Sequence, residues 1–126
     1  MESAALPRRQ RLPATRKGLV HKFGVGGVEG YIIVGLYANG SPGEVFLHIS
    51  KEGSTLSGVM DCFAILLSLA LQSGIPLAVL VSKFRHTRFV PDGFTTNREI
   101  PMATSLIDYL FAWLEWRFLS REKQAA

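Results

Sequence analysis

Two stretches of the chain carry residue types that could do chemistry. Residues 51–55 (KEGST) put a lysine beside the Gly-Ser-Thr start of an apolar helical stretch. Backbone N–H groups at the positive end of a helix dipole can hold a phosphate there. The plainer alternative is that Ser54 or Thr55 caps the helix. Residues 83–97 (KFRHTRFVPDGFTTN) interleave Lys83, Arg85, His86 and Arg88 with Phe84, Phe89 and Phe94. Cations beside aromatic rings bind phosphates and stack bases. Phenylalanines plugging a core, with arginines left in water, give the same pattern. Lys51, Gly53, Ser54, Thr55, Lys83, Arg85 and Arg88 together make the candidate nucleotide- or phosphate-binding surface.

Other chemistries find less support. The glycine cluster 24–30 (GVGGVEG) has neither the lysine followed by Ser or Thr of a P-loop nor a helix after it. Hairpin geometry explains it, with Gly26, Gly27 and Gly30 as turn formers. His21, His48 and His86 show no ligand spacing, and no metal ligand set is expected. The single cysteine, Cys62, has no partner for a disulfide or a CxxC pair, and its apolar neighbours suit a buried, inert thiol. No nucleophile elbow, HExxH or paired carboxylates appear, so no catalytic residue is assigned.

These groups must be positioned by elements read from hydrophobic periodicity. Residues 54–74 repeat Leu56, Val59, Met60, Phe63, Leu66, Leu67 and Ala70 at helical spacing, with Ile65, Leu69 and Leu71 extending the apolar surface most of the way round. Gly74 and Pro76 end the helix. The pattern predicts a central helix, nearly enclosed, packing Leu56, Val59, Phe63, Leu66 and Leu67 on a sheet. Strands are expected over 19–25, 30–37 and 44–50, where branched, aromatic and alternating residues collect. Turn formers at 39–43 join the last two. A second helix over 76–84 presents Leu77, Leu80, Val81 and Phe84. A third begins near Ser105, with Asp108 completing a capping box and Leu106, Leu110, Trp113, Leu114 and Phe118 as its core face; Arg117, Arg121 and Lys123 complement its dipole. The fold class is therefore α+β: a three-stranded antiparallel β-meander packed against a central buried helix, with two further helices.

At 126 residues, 48% hydrophobic and 19% charged, the chain has the makings of one globular domain. Its net charge of +4 is concentrated at the start, where Arg8, Arg9, Arg11, Arg16, Lys17 and Lys22 face only Glu2. Residues 1–18 read as a flexible basic arm, 19–122 as the domain and 123–126 as a disordered tail. Arg8, Arg9, Arg11, Arg16 and Lys17 are the candidate partner-binding arm, with nucleic acid among the partners such charge suits. No secretory signal or uninterrupted membrane-spanning run is recognised, so a cytoplasmic protein without membrane association is expected, with homo-oligomerisation open.

Several blocks match one family in order. The run 29–77 (EGYIIVGLYANGSPGEVFLHISKEGSTLSGVMDCFAILLSLALQSGIPL), KFRHTRFVPDGFTTN and SLIDYLFAWL resemble the C-terminal TSCPD domain of adenosylcobalamin-dependent (class II) ribonucleotide reductases. Arg11, Leu12, Pro13, Arg16 and HKFGVGG resemble its lead-in. Thr104, Ser105 and Asp108 stand where the name-giving Thr, Ser and Asp would be, whereas Leu106 and Ile107 replace its Cys and Pro, and Val90 stands where a glutamate is expected. The resemblance implies a link to deoxyribonucleotide synthesis. Reductases of this kind need a radical-carrying cysteine, a redox cysteine pair and an acidic residue in a large barrel. A chain with one cysteine cannot supply them. The implied role is an accessory or regulatory module that binds a reductase subunit or related protein. It would bind no cofactor itself, adenosylcobalamin belonging to the partner. Nucleotide or single-stranded nucleic-acid binding is the alternative.

Overall fold

The computed structural model describes residues 8–50 and 53–119. Three strands, β1 (Gly18–Val25), β2 (Val28–Leu36) and β3 (Pro42–Ile49), form an antiparallel sheet in sequence order. The turn between β1 and β2 is only Gly26 and Gly27, at φ +55° and +87°, the left-handed pair that a two-residue hairpin requires. Gly30, expected in that turn, lies inside β2 instead. It is glycine for a different reason: a Cβ there would meet the His48 carbonyl oxygen at 2.5 Å.

Strand alternation sends one set of side chains inward. Phe23, Val25, Val28, Ile32, Val34, Val45, Leu47 and Ile49 are all buried. The opposite face stays open. There Val20, Ile33 and Phe46 stand side by side across the three strands, all exposed.

Helix α1 (Thr55–Gln72) runs against β3, capped by Ser54, whose side chain accepts a hydrogen bond from the Ser57 N–H. Two of its polar side chains are fastened to that strand. Ser68 Oγ accepts from the Val45 N–H at 2.8 Å, and Gln72 Nε2 donates to the Gly43 carbonyl at 2.9 Å. An otherwise open strand edge is thereby closed.

Helix α2 (Leu77–Phe84) buries Leu77 and Val81 and packs against α3 (Leu106–Leu114) and the π-helical segment Glu115–Leu119 that follows it. Between α2 and α3 the chain forms a loop stiffened by two-residue strands β4 (Gly93–Phe94) and β5 (Met102–Ala103). Residues 94–96 of this loop hydrogen-bond to the end of β1 through Gly24 and Gly26.

The helix enclosed on all sides is α3, not α1. All nine residues of α3 are buried, whereas α1 buries only Met60, Ala64, Leu67 and Gln72. Val59 and Leu66, expected against the sheet, point to solvent at 53% and 66% exposure. The last helix does not cover them because it slots under β1 instead. His21 and Phe23 stack on Tyr109, and His21 stacks on Trp113 at 4.8 Å between ring centroids. By length and composition alone α1 is apolar enough to cross a bilayer, with Ser57, Asp61, Ser68 and Gln72 interrupting it as expected. Here it packs with one side on β3.

From Gln10 onward the described part of the basic arm lies against the domain. Gln10 N–H donates to the Gln72 carbonyl, Tyr37 Oη donates to the Gln10 carbonyl, and Leu36 N–H donates to the Lys17 carbonyl. The expected tail 123–126, Arg121 and Lys51 fall outside the described residues.

Candidate functional site

The most densely bonded polar site is built on Asp108, in the first turn of α3. Ser105 caps that helix by accepting the Asp108 N–H at 2.9 Å. This leaves the Asp108 carboxylate, only 3% exposed, to face the loop before it. Oδ2 accepts the Thr104 N–H at 3.0 Å, and Oδ1 accepts the His86 N–H at 2.7 Å and Arg85 Nε at 3.1 Å. Arg85 also donates through Nη1 to Glu115 at 2.6 Å, while Thr104 Oγ1 donates to the Thr87 carbonyl. Burial alone pushes the Asp108 carboxyl up, but the bonds from Thr104, His86 and Arg85 outweigh it and hold the group below the ordinary carboxylate range. The same bonds hold His86 at φ +69°, a left-handed backbone that non-glycine residues seldom adopt. Thr104, Ser105 and Asp108 therefore stitch the 85–104 loop to α3. Three of the carboxylate's roughly four lone-pair sites are thus taken up in holding the loop.

Lys51 lies outside the described residues, and the described members of the candidate phosphate surface do not share the groove beside Thr55. Ser54 serves as the α1 cap, Gly53 takes φ +76°, and Thr55 is exposed at the rim of a groove of about 460 Å³. That groove is walled by Leu56, Val59, Phe63, Phe89 and Ile107, and none of Lys83, Arg85 and Arg88 lines it. Lys83 and Arg88 are exposed, and Arg85 is tied to Asp108 and Glu115. Phe84 and Phe89 face inward as the packing alternative supposed, with Phe84 stacked on Phe111 and both rings meeting Phe63 edge-on, whereas Phe94 is 80% exposed.

Of the arm cations, Arg9 donates to Gln72 Oε1 at 2.6 Å and Arg16 pairs with Glu44. Arg8, Arg11 and Lys17 are exposed. Arg11 lines a hollow of about 850 Å³ between the arm, the β2–β3 turn and the ends of α1 and the π-helical segment. Its walls carry no histidine, cysteine, aspartate or glutamate. Among the described residues no group of three His, Cys, Asp or Glu side chains is placed to hold a metal ion. Cys62, expected to be buried, is exposed on the outer side of α1.

One polar cluster has no local signal in the sequence. His21 Nε2 lies 2.7 Å from Tyr109 Oη, which also accepts Asn97 Nδ2 at 3.0 Å. Burial lowers the His21 pKa and raises that of Tyr109. With its Nε2 unprotonated, the neutral imidazole accepts a hydrogen bond from the buried tyrosine hydroxyl. His21 and Tyr109 are 88 positions apart, so spacing could not have paired them.

Comparison with known proteins covers nearly the whole chain. The TSCPD domain family matches residues 7–118. The chain is 54% identical over 114 residues to a protein of Rhodopirellula baltica named vitamin B12-dependent ribonucleotide reductase, covering 90% of this chain and 11% of that protein. Proteins of the same name from Streptantibioticus cattleyicolor and Agrobacterium fabrum are 48% and 40% identical, covering 95% and 93% of this chain but 20% and 9% of theirs. The chain thus spans a fifth or less of these relatives' length. No solved structure matches it.

Proposed function

The chain belongs to the TSCPD domain family, and from that premise we propose that it is an accessory or regulatory module of deoxyribonucleotide supply. It acts in the cytoplasm by binding a vitamin B12-dependent ribonucleotide reductase or a related protein. The observation that carries this reading is the match itself: most of this chain corresponds to a small part of much larger reductases. The family's retained Thr104, Ser105 and Asp108 support it, because here their hydrogen bonds order a loop. The open sheet face adds further support. Val20, Ile33 and Phe46 give a protein partner a contiguous apolar row to cover. Adenosylcobalamin belongs to that partner, and no step is routed through it in this chain.

The test has two arms. The tagged chain, expressed in its native cell, should recover a reductase subunit, and recovery of none with or without nucleotides would overturn the reading. The pure chain, given adenosylcobalamin, a dithiol and a ribonucleotide, should show no reduction, whereas turnover that survives Cys62→Ser would reveal a missed active site. Titration with dNTPs, ATP and oligonucleotides at two salt concentrations addresses the alternative. Nucleic-acid binding would weaken steeply as salt rises.

A further inference from the structure

The outer side of α1 is the largest feature that neither the core nor the Asp108 network uses. Thr55, Val59, Cys62, Ile65, Leu66 and Leu69 occupy it, and every one is exposed. No charged side chain interrupts this stripe. The only ionisable group between Thr55 and Gln72 besides the Cys62 thiol is Asp61, about 100° round the helix from Cys62. The stripe is not uniform along its length. Its N-terminal half borders the apolar groove between Leu56, Val59, Phe63 and Phe89, and its C-terminal half carries the protruding Leu66.

We propose that this face of α1 pairs with the same face of a second copy, the two helices antiparallel about a two-fold axis passing between Cys62 and Phe63. Leu66 and Val59 lie at equal distances on either side of that point. The two-fold therefore seats the Leu66 of each copy at the Val59 groove of the other, filling both grooves at once. The charge pattern selects this occupant. A nucleic acid or an anionic membrane surface would need lysines or arginines, and α1 has none. An identical helix brings an equally apolar surface and leaves no ion unpaired. The area sets the strength. Eighteen residues at 1.5 Å each give a contact about 27 Å long. A stripe roughly 10 Å wide covers a few hundred Å² per copy, below the roughly 800 Å² per partner of a standard interface. The dimer is therefore weak and depends on concentration.

Two measurements on the full chain test this. Light scattering across roughly 1 to 500 μM should show the mass rising from one copy toward two. The rise should be lost in Leu66→Glu and kept in Val79→Glu, an exposed apolar site off the stripe. Mild oxidation with copper–phenanthroline should link the two Cys62 thiols, which at the axis fall within the Cα separation of about 4.4–6.8 Å that a disulfide spans. Leu66→Glu should cut the linked fraction at least tenfold while leaving the circular dichroism spectrum unchanged. A chain monomeric at 500 μM overturns the proposal. So does a dimer indifferent to Leu66→Glu, a dimer that oxidation does not link, or a monomer that instead carries this face onto vesicles or a reductase.

Discussion

Replacing Asp108 by alanine would remove the acceptor of three hydrogen bonds: the Thr104 and His86 N–H groups and Arg85 Nε. Hydrogen bonds to a charged group contribute about 1.5–3 kcal/mol each, and a buried donor left unsatisfied costs about 1–3 kcal/mol. Arg85 keeps Glu115, so its loss is the smallest of the three. The two backbone donors and the left-handed turn at His86 lose their anchor outright. The expected destabilisation is about 4 kcal/mol, a large share of the roughly 5–15 kcal/mol that holds a domain together. Asp108→Asn retains one acceptor oxygen but turns an amide toward another donor, so about 2 kcal/mol is expected. Urea unfolding followed by the fluorescence of the buried Trp113 would read both, with the slope unchanged if only stability moves. The pH dependence has a definite sign. The folded carboxyl lies below its ordinary 3.8, so its contribution is complete above that value and fades as pH falls below about 4. This acid limb should be missing from Asp108→Asn. An Asp108→Ala protein that folds and loses less than about 1 kcal/mol would show that the 85–104 loop is held by something else.

Three further outcomes follow from the same structure. Because burial lowers the folded His21 pKa below 6.5, the unfolded chain binds the extra proton first, and stability should decline as pH falls below about 6.5; melting temperatures from pH 8 to 5 should lose part of that slope in His21→Gln. Gly26→Ala would drive a Cβ to 2.3 Å from the Asp92 carbonyl oxygen at a left-handed φ, costing about 2 kcal/mol or more, whereas Gly27→Ala faces open space and should cost about 1 kcal/mol. Leu110→Ala in the enclosed helix should cost about 2–5 kcal/mol, and Leu66→Ala, read in dilute solution, within about 0.5 kcal/mol.

Local pattern made much of this fold legible. Alternation in residues 44–50 placed Val45, Leu47 and Ile49 inward, Ser54 and Ser105 marked true helix starts, and the glycines at 26 and 27 marked a true hairpin. What periodicity could not tell is which apolar helix the chain itself encloses. α1 and α3 are both apolar nearly all round, yet one is left bare along Val59, Ile65 and Leu66 while the other disappears beneath β1. Apolar surface in a sequence records that something covers it, not whether the cover lies in the same chain. Neither could spacing reveal the site around Asp108. Its donors come from positions 85, 86 and 104, and Arg85 looks as free in the sequence as Lys83. The strands β4 and β5, two residues each, are too short to leave any alternation.

The burial of α3 also bears on the order in which this protein can be made. The meander and α1 are complete by Gln72, but the helix that fills the space under β1 begins only at Leu106. Synthesis at about 5–20 residues per second leaves His21 and Phe23 without Tyr109 and Trp113 for seconds after they emerge. In that interval the nascent sheet presents two oily faces rather than one. A ribosome stalled between Gln72 and Leu106 would hold a fragment with α1 on β3 but nothing beneath β1. Such a fragment is the form of this chain most exposed to chaperones and to aggregation.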